Sequence, residues 1–165
     1  MLEMSVEMTS EEIEQFLVCA RVGRLGMVVD NEPYVVPVGF GYCNGKVFFH
    51  TCDKGLKMNG LRKNPSVCFE VDEALSDVTM FKSVIILGNA EIINEEKKMI
   101  PYLQKLIDKY RVPLIFDEYM SKPRRNRESE LKAVRICVIT PRKVTGRRFV
   151  QNKALADTAA SDSTS

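Results

Sequence analysis

The sequence contains no tryptophan and a single histidine, His50, so any chemistry that needs several imidazoles, such as a polyhistidine metal site, is excluded. It lacks paired cysteines: Cys19, Cys43, Cys52, Cys68 and Cys137 are scattered singly, with no CxxC spacing. An odd, dispersed set argues against a disulfide framework and a zinc ribbon and predicts mostly buried apolar thiols. No apolar run reaches the length of a membrane span, and the acidic MLEMSVEMTSEE start is unlike a signal peptide, so the expected location is the cytoplasm. Charge of one sign is also scarce, since a net +2 is too small to argue for nucleic acid.

What is present is an ordinary globular balance, 45% hydrophobic and 28% charged over 165 residues, enough for one domain with a real core. Residues 1–150 are expected to form that domain. The ALADTAASDSTS tail has little to bury and is predicted to be disordered over 151–165.

Thr9 and Glu12 form a capping-box pattern ahead of Ile13, Phe16, Leu17 and Ala20 at helical spacing, with Gly23 placed to end the helix in a left-handed cap. A short strand follows over 24–29, then an Asp30-Asn31 turn. The segment PYVVPVGFGYC-NG-KVFFHTC (33–52) carries the strongest short-range hairpin signal, Asn44-Gly45 between two apolar β-branched runs. A two-residue turn there pairs Cys43 with Lys46, Tyr42 with Val47, Phe40 with Phe49 and Val38 with Thr51. One face then carries Val38, Phe40, Tyr42, Val47 and Phe49 as core. The other carries Pro37, Gly39, Gly41, Phe48, His50 and Cys52, which leaves it shallow. Strand glycines mark either close approach by another group, here a flat ligand, or a bend in a barrel wall.

The remaining pattern predicts a short helix over 55–64, strands over 66–73 and 83–93 with a bulge at Gly88, and a helix capped by Asn94. Pro101 should kink or restart that helix. Residues 113–130, with KPRRNR, read as a surface loop, and LKAVRICVIT and KVTGRRFV as two closing strands. The sum is a mainly β protein: about six antiparallel strands in a barrel with flanking helices.

HTCDKGLKMNGLRKN (50–64) is the candidate site. A strand ends near Cys52, Gly55 permits a tight turn, and Lys57 falls in the first helical turn, where free N–H groups and the helix dipole favour a phosphate. A phosphate pocket beside a flat slot suits a phosphorylated planar cofactor.

In order and spacing, RVGRLGMV, PYVVPVGFGY, NGKVFFHTCDKGLKMNGLRKNPSVCFEVD and FKSVIILGNAEII resemble the FMN-binding split barrels related to pyridoxamine 5′-phosphate oxidase. The resemblance is strongest to the subgroup that includes nitroimidazole-resistance proteins. It implies a six-stranded split barrel, a homodimer with FMN at the subunit interface, and oxidoreductase chemistry on a small donor and acceptor. It further implies that Val36, Pro37 and Val38 run along the flavin ring, that Thr51 and Lys57 hold the ring edge and phosphate, and that Lys82 and Ser83 contact FMN across the interface. His50 would lie near the flavin and the substrate space as a candidate proton donor or anion anchor. Gly55 stands where the oxidases usually carry a serine or arginine, so one phosphate contact is missing and Arg62 or a partner residue would compensate. The C-terminal residues that grip pyridoxal phosphate are not matched, which argues against oxidation of pyridoxamine phosphate. Three other classes stay open: a haem protein with His50 as axial ligand, a flavin-binding sensor without turnover, and a nucleic-acid module built on KPRRNR.

Overall fold

The computed structural model describes residues 5–150, and the tail expected to be disordered lies outside them. Eight strands form one antiparallel sheet: β1 (Val6–Glu7), β2 (Val22–Val29), β3 (Glu32–Gly39), β4 (Gly41–Cys43), β5 (Lys46–Cys52), β6 (Ser66–Ala74), β7 (Met80–Ile93) and β8 (Val134–Val150). Their order is β3-β2-β6-β7-β8-β5-β4, with β1 added to β8. The sheet curls until β3 touches β5, which gives the expected barrel with flanking helices. The strand pattern departs from expectation in three places. β1 is extra, the strand expected through Gly41 breaks at Phe40, and the two closing segments fuse into the 17-residue β8.

Two type I′ turns set the registers. Asp30 and Asn31 both adopt positive φ (49° and 69°), as do Asn44 and Gly45 (52° and 71°), matching the twist of the strands they join. The second turn gives the expected Cys43–Lys46 and Tyr42–Val47 pairs. Beyond Gly41–Phe48 the expected pairing stops. Phe40 donates its N–H to the Arg21 carbonyl, and Val38 pairs with Gly23 on β2 rather than with Thr51. The chain has switched from one edge of the sheet to the other. β5 instead pairs along its length with β8, Phe49 opposite Cys137 and Thr51 opposite Arg135.

Val47–Phe49 of β5 and Ile136–Ile139 of β8 are buried on both faces, which explains their unbroken apolar runs. Val47, Phe49, Cys137 and Ile139 point into the barrel with Phe40, Phe69 and Leu25. Phe48, Ile136 and Val138 point outward into a second apolar cluster under three helices, α3 (Glu96–Lys109), α4 (Phe116–Met120) and α5 (Arg127–Ala133). The region 113–130 is therefore two short helices rather than a loop. Its basic run is anchored: Arg125 binds Glu130 and the Tyr119 hydroxyl, both at 2.6 Å, and Arg127 pairs with Glu96 at 2.8 Å. α3 passes through Pro101 without interruption and starts after Glu95, not at Asn94.

α1 (Ser10–Cys19) begins with the expected reciprocal box: Thr9 Oγ1 accepts the Glu12 N–H at 3.2 Å, and the Thr9 N–H meets the Glu12 carboxylate at 2.7 Å. Its end departs from expectation. The helix stops at an extended Ala20, and Gly23 lies inside β2, where a Cβ would sit 2.3 Å from the Phe69 ring. The expected irregularity at Gly88 is present as a register shift between Leu87 and Gly88, opposite Pro141. All five cysteines are free, but only Cys137 is buried; Cys19 and Cys52 are exposed and the others partly covered, because most fall on outward strand positions or at element ends.

Candidate functional site

β5 ends at Cys52, and three residues connect it to α2 (Leu56–Lys63). The connection is braced by Asp53. Its carboxylate takes Arg62 at 2.5 Å and Arg135 at 3.0 Å, its carbonyl accepts Arg62 Nη1 at 3.1 Å, and its N–H bonds the Ala133 carbonyl at 2.9 Å. Arg62, expected as a substitute phosphate ligand, is thus committed to holding the turn.

Gly55 takes φ 108°, a backbone state that L side chains rarely adopt, and a Cβ there would meet nothing within 4 Å. It offers no side-chain cap, so the first N–H groups of α2 have no side-chain acceptor at the cap. Lys57 stands in that first turn without an acidic partner among the described residues; its ammonium lies 5.7 Å from the centre of the Phe49 ring. Uncapped N–H groups, a positive dipole end and an uncompensated lysine suit a phosphate, and this end of an FMN molecule fits the residues present.

Alternation along β5 places Thr51 on the Phe49 side and His50 on the opposite side. Thr51 is 5% exposed, and its hydroxyl reaches only the Cys52 carbonyl, at 3.5 Å. His50 makes no hydrogen bond among the described residues. The residue is open to solvent on one side, but desolvation by its neighbours, reinforced by the positive charge of Lys57, lowers its pKa and keeps the ring neutral at pH 7. Cys137, opposite Phe49, is pushed up to about 12, chiefly by burial, so its thiol stays protonated.

Thr51, His50 and Lys57 are therefore gathered around one strand-to-helix turn. Val36, Pro37 and Val38 lie on β3, the edge strand, with Pro37 exposed where its missing N–H disturbs no second neighbour. Lys82 and Ser83 lie apart from this group within the protomer. They sit near the start of the 14-residue β7, opposite Arg148 and Arg147, and Lys82 pairs with Glu73 at 2.7 Å.

The flat slot anticipated over Gly39 and Gly41 is filled by the chain itself. A Cβ on Gly41 would fall 2.2 Å from the Phe48 ring, and one on Gly39 would fall 2.2 Å from the Tyr110 hydroxyl. The glycines admit close approach, as expected of strand glycines, but by protein aromatics rather than a ligand. A flavin ring has no room on that face.

Sequence reasoning missed the surroundings of His50. A cleft of about 470 Å³ opens between the end of β5 and α3–α5, bounded by His50, Tyr110, Tyr119, Arg125 and apolar helix residues. The signal lay in Phe116 and Met120, four residues apart, and in Leu131, which an amphipathic reading of 113–131 would have paired. No cluster of metal-ligating side chains occurs among the described residues, and no helix there is long and apolar enough to cross a membrane.

Solved structures share this fold. A candidate 5-nitroimidazole antibiotic resistance protein of Bacteroides thetaiotaomicron superposes with TM-score 0.71 at 18% identity, over 90% of this chain and 89% of its own. A FAD-binding protein of Mesorhizobium loti does so with 0.62 at 24%, over 90% and 99%. A FAD- and haem-binding protein of Mycobacterium smegmatis gives 0.71 at 20%, over 92% and 78%. An uncharacterised protein of Rhizobium meliloti is 27% identical over 81 residues, 49% of this chain; the chain spans about half (52%) of that relative. The family model described as pyridoxamine 5′-phosphate oxidase matches residues 9–148, almost the whole described region, and the chain belongs to that family.

Proposed function

We propose that the protein is a homodimeric FMN-dependent oxidoreductase that acts on small molecules in the cytoplasm. The observation that carries this reading is the uncapped N-terminus of α2, with Gly55 at φ 108° and an acid-free Lys57, directly after the strand end that bears His50 and Thr51. Bound FMN would supply hydride or electron transfer, while these residues bind its phosphate and orient it. The family and the FAD-binding proteins of the same fold support a flavin; one helix N-terminus with one lysine, enough for a single phosphate, favours the mononucleotide. The dimer rests on the separation of Lys82 and Ser83 from the α2 site, which leaves each site half-built unless a second copy supplies them. Five free thiols suit a reducing compartment.

The test is an absorption spectrum of the purified protein, taken before and after anaerobic addition of NADH, NADPH or dithionite, with the released chromophore identified. Bands that bleach with a pyridine nucleotide are expected. Bands that respond only to dithionite would favour a flavin-binding protein without turnover, and released FAD or a deazaflavin would replace FMN. A second reading, haem ligation by His50, is favoured by that ring being neutral and without a hydrogen-bond partner, and by the FAD- and haem-binding protein of the same fold. A Soret band would establish it.

A further inference from the structure

The cleft beside His50 has a composition that specifies its ligand. Its walls are apolar: Leu106 and Ile107 from α3, Phe116 and Met120 from α4, Leu131 from α5 and Val134 at the start of β8. Its volume, about 470 Å³, is within the range of small-molecule sites. Arg125, the cation on its lining, is already neutralised: Nη1 binds Glu130 at 2.6 Å, Nη2 donates to the Tyr119 hydroxyl at 2.6 Å, and the guanidinium lies 4.1 Å from the Tyr119 ring centre. Lys57 does not line the cleft, because it sits on the Phe49 side of β5 while His50 points to the other; its charge is felt at the His50 ring but offers a cleft ligand no contact. One polar tip without a hydrogen bond inside the described chain borders the cleft, the His50 imidazole; the Tyr110 hydroxyl is turned away onto Gly39, so Tyr110 contributes its ring.

We infer that this cleft binds a neutral, predominantly apolar small molecule carrying a hydrogen-bonding oxygen at one end, and discriminates against anions of the same shape. An apolar body removes the wall side chains from water, and the oxygen meets the His50 ring. A carboxylate in the same pose would lie against apolar walls with no free cation, or would have to displace Glu130 from Arg125. That the ligand is a substrate rests on the proposed flavin chemistry; the ligand preference does not.

The experiment is equilibrium dialysis of the full chain at pH 7 with two probes on one frame, 2-acetylnaphthalene and 2-naphthoate, with and without added FMN. The neutral ketone should bind at least tenfold tighter than the carboxylate. Glu130→Gln releases the Arg125 charge, so naphthoate affinity should rise at least tenfold while ketone affinity holds. Leu131→Trp fills the cleft and should abolish ketone binding. If that variant does not fold, Glu130→Gln still decides the question. Equal binding of the two probes, or naphthoate affinity unmoved by Glu130→Gln, overturns the inference. So does failure of the full chain to bind the ketone, whether a second copy or the chain's own ends fill the cleft. A protein that selects the ketone but takes no flavin keeps the inference and removes the proposed function; a yellow protein that does not discriminate does the reverse.

Discussion

The two faces of β5 are built from consecutive residues and have opposite characters. Val47, Phe49 and Thr51 face the barrel core and are sealed, at 0%, 0% and 5% exposure, with Lys57 over Phe49 and the helix N-terminus of α2 beyond. Phe48, His50 and Cys52 face the α3–α5 cover, where Phe48 is buried but His50 and Cys52 are open. A period of two thus puts the basic, uncapped helix start and the neutral-walled cleft on opposite sides of one strand. The separation is one of side-chain contact and not of field: a low-dielectric interior transmits charge, and the Lys57 ammonium helps lower the His50 pKa from the other face.

The sharpest way to break this contrast is to hollow the sealed face. Phe49→Ala removes a ring with 0% exposure from the barrel interior and should cost about 3–5 kcal/mol in urea unfolding, abolishing tight packing on the Lys57 side as well. A loss under ~1 kcal/mol would mean that this face is not sealed. Removing charge without volume comes next: Lys57→Met should weaken FMN binding by about 10- to 100-fold, the range of a charged hydrogen bond worth roughly 1.5–3 kcal/mol, with stability nearly unchanged. Unaltered flavin affinity in a titration would remove Lys57 from the phosphate site.

On the opposite face, Gly41→Leu drives a side chain into the Phe48 ring and should destabilise by about 1–3 kcal/mol through overpacking, visible as a lowered thermal midpoint. Full stability would show that Phe48 swings away freely. The smallest effect is on pH dependence. The folded-state pKa of His50 is lowered, so between its unfolded and folded values the unfolded chain binds more protons, and stability falls on acidification through that window. Below both values the loss saturates. His50→Gln should flatten this part of the profile, and an identical profile in the variant would show that the ring titrates as in the unfolded chain.

Local chemistry was readable wherever neighbours in sequence decide the outcome. The Thr9–Glu12 box, the Asn44-Gly45 turn with its first pairs, the span of α2 and the irregularity at Gly88 depend on residues within a few positions, and each formed as expected. The strand-to-helix turn with Lys57 belongs to the same class. Gly23 failed as a helix stop because the Phe69 ring, distant in sequence, takes the space above it. Pro101 failed as a break because the apolar stripe of α3 packs onto the second cluster, and burial outweighs one lost helical bond.

By itself, then, the sequence determined the barrel class, its turns and the glycine-led helix start that carries Lys57, since these rest on backbone preferences and on period-two or helical patterning. Only the tertiary structure decided that Phe40 carries the chain from one sheet edge to the other, that Phe48 and Tyr110 occupy the glycine face, and that Arg62 serves Asp53. The same holds for the helices over 113–133 that enclose a cleft around His50. Each of these is a contact between residues far apart in the chain, and burial energy depends on which surfaces meet, a property that no local window of residues contains.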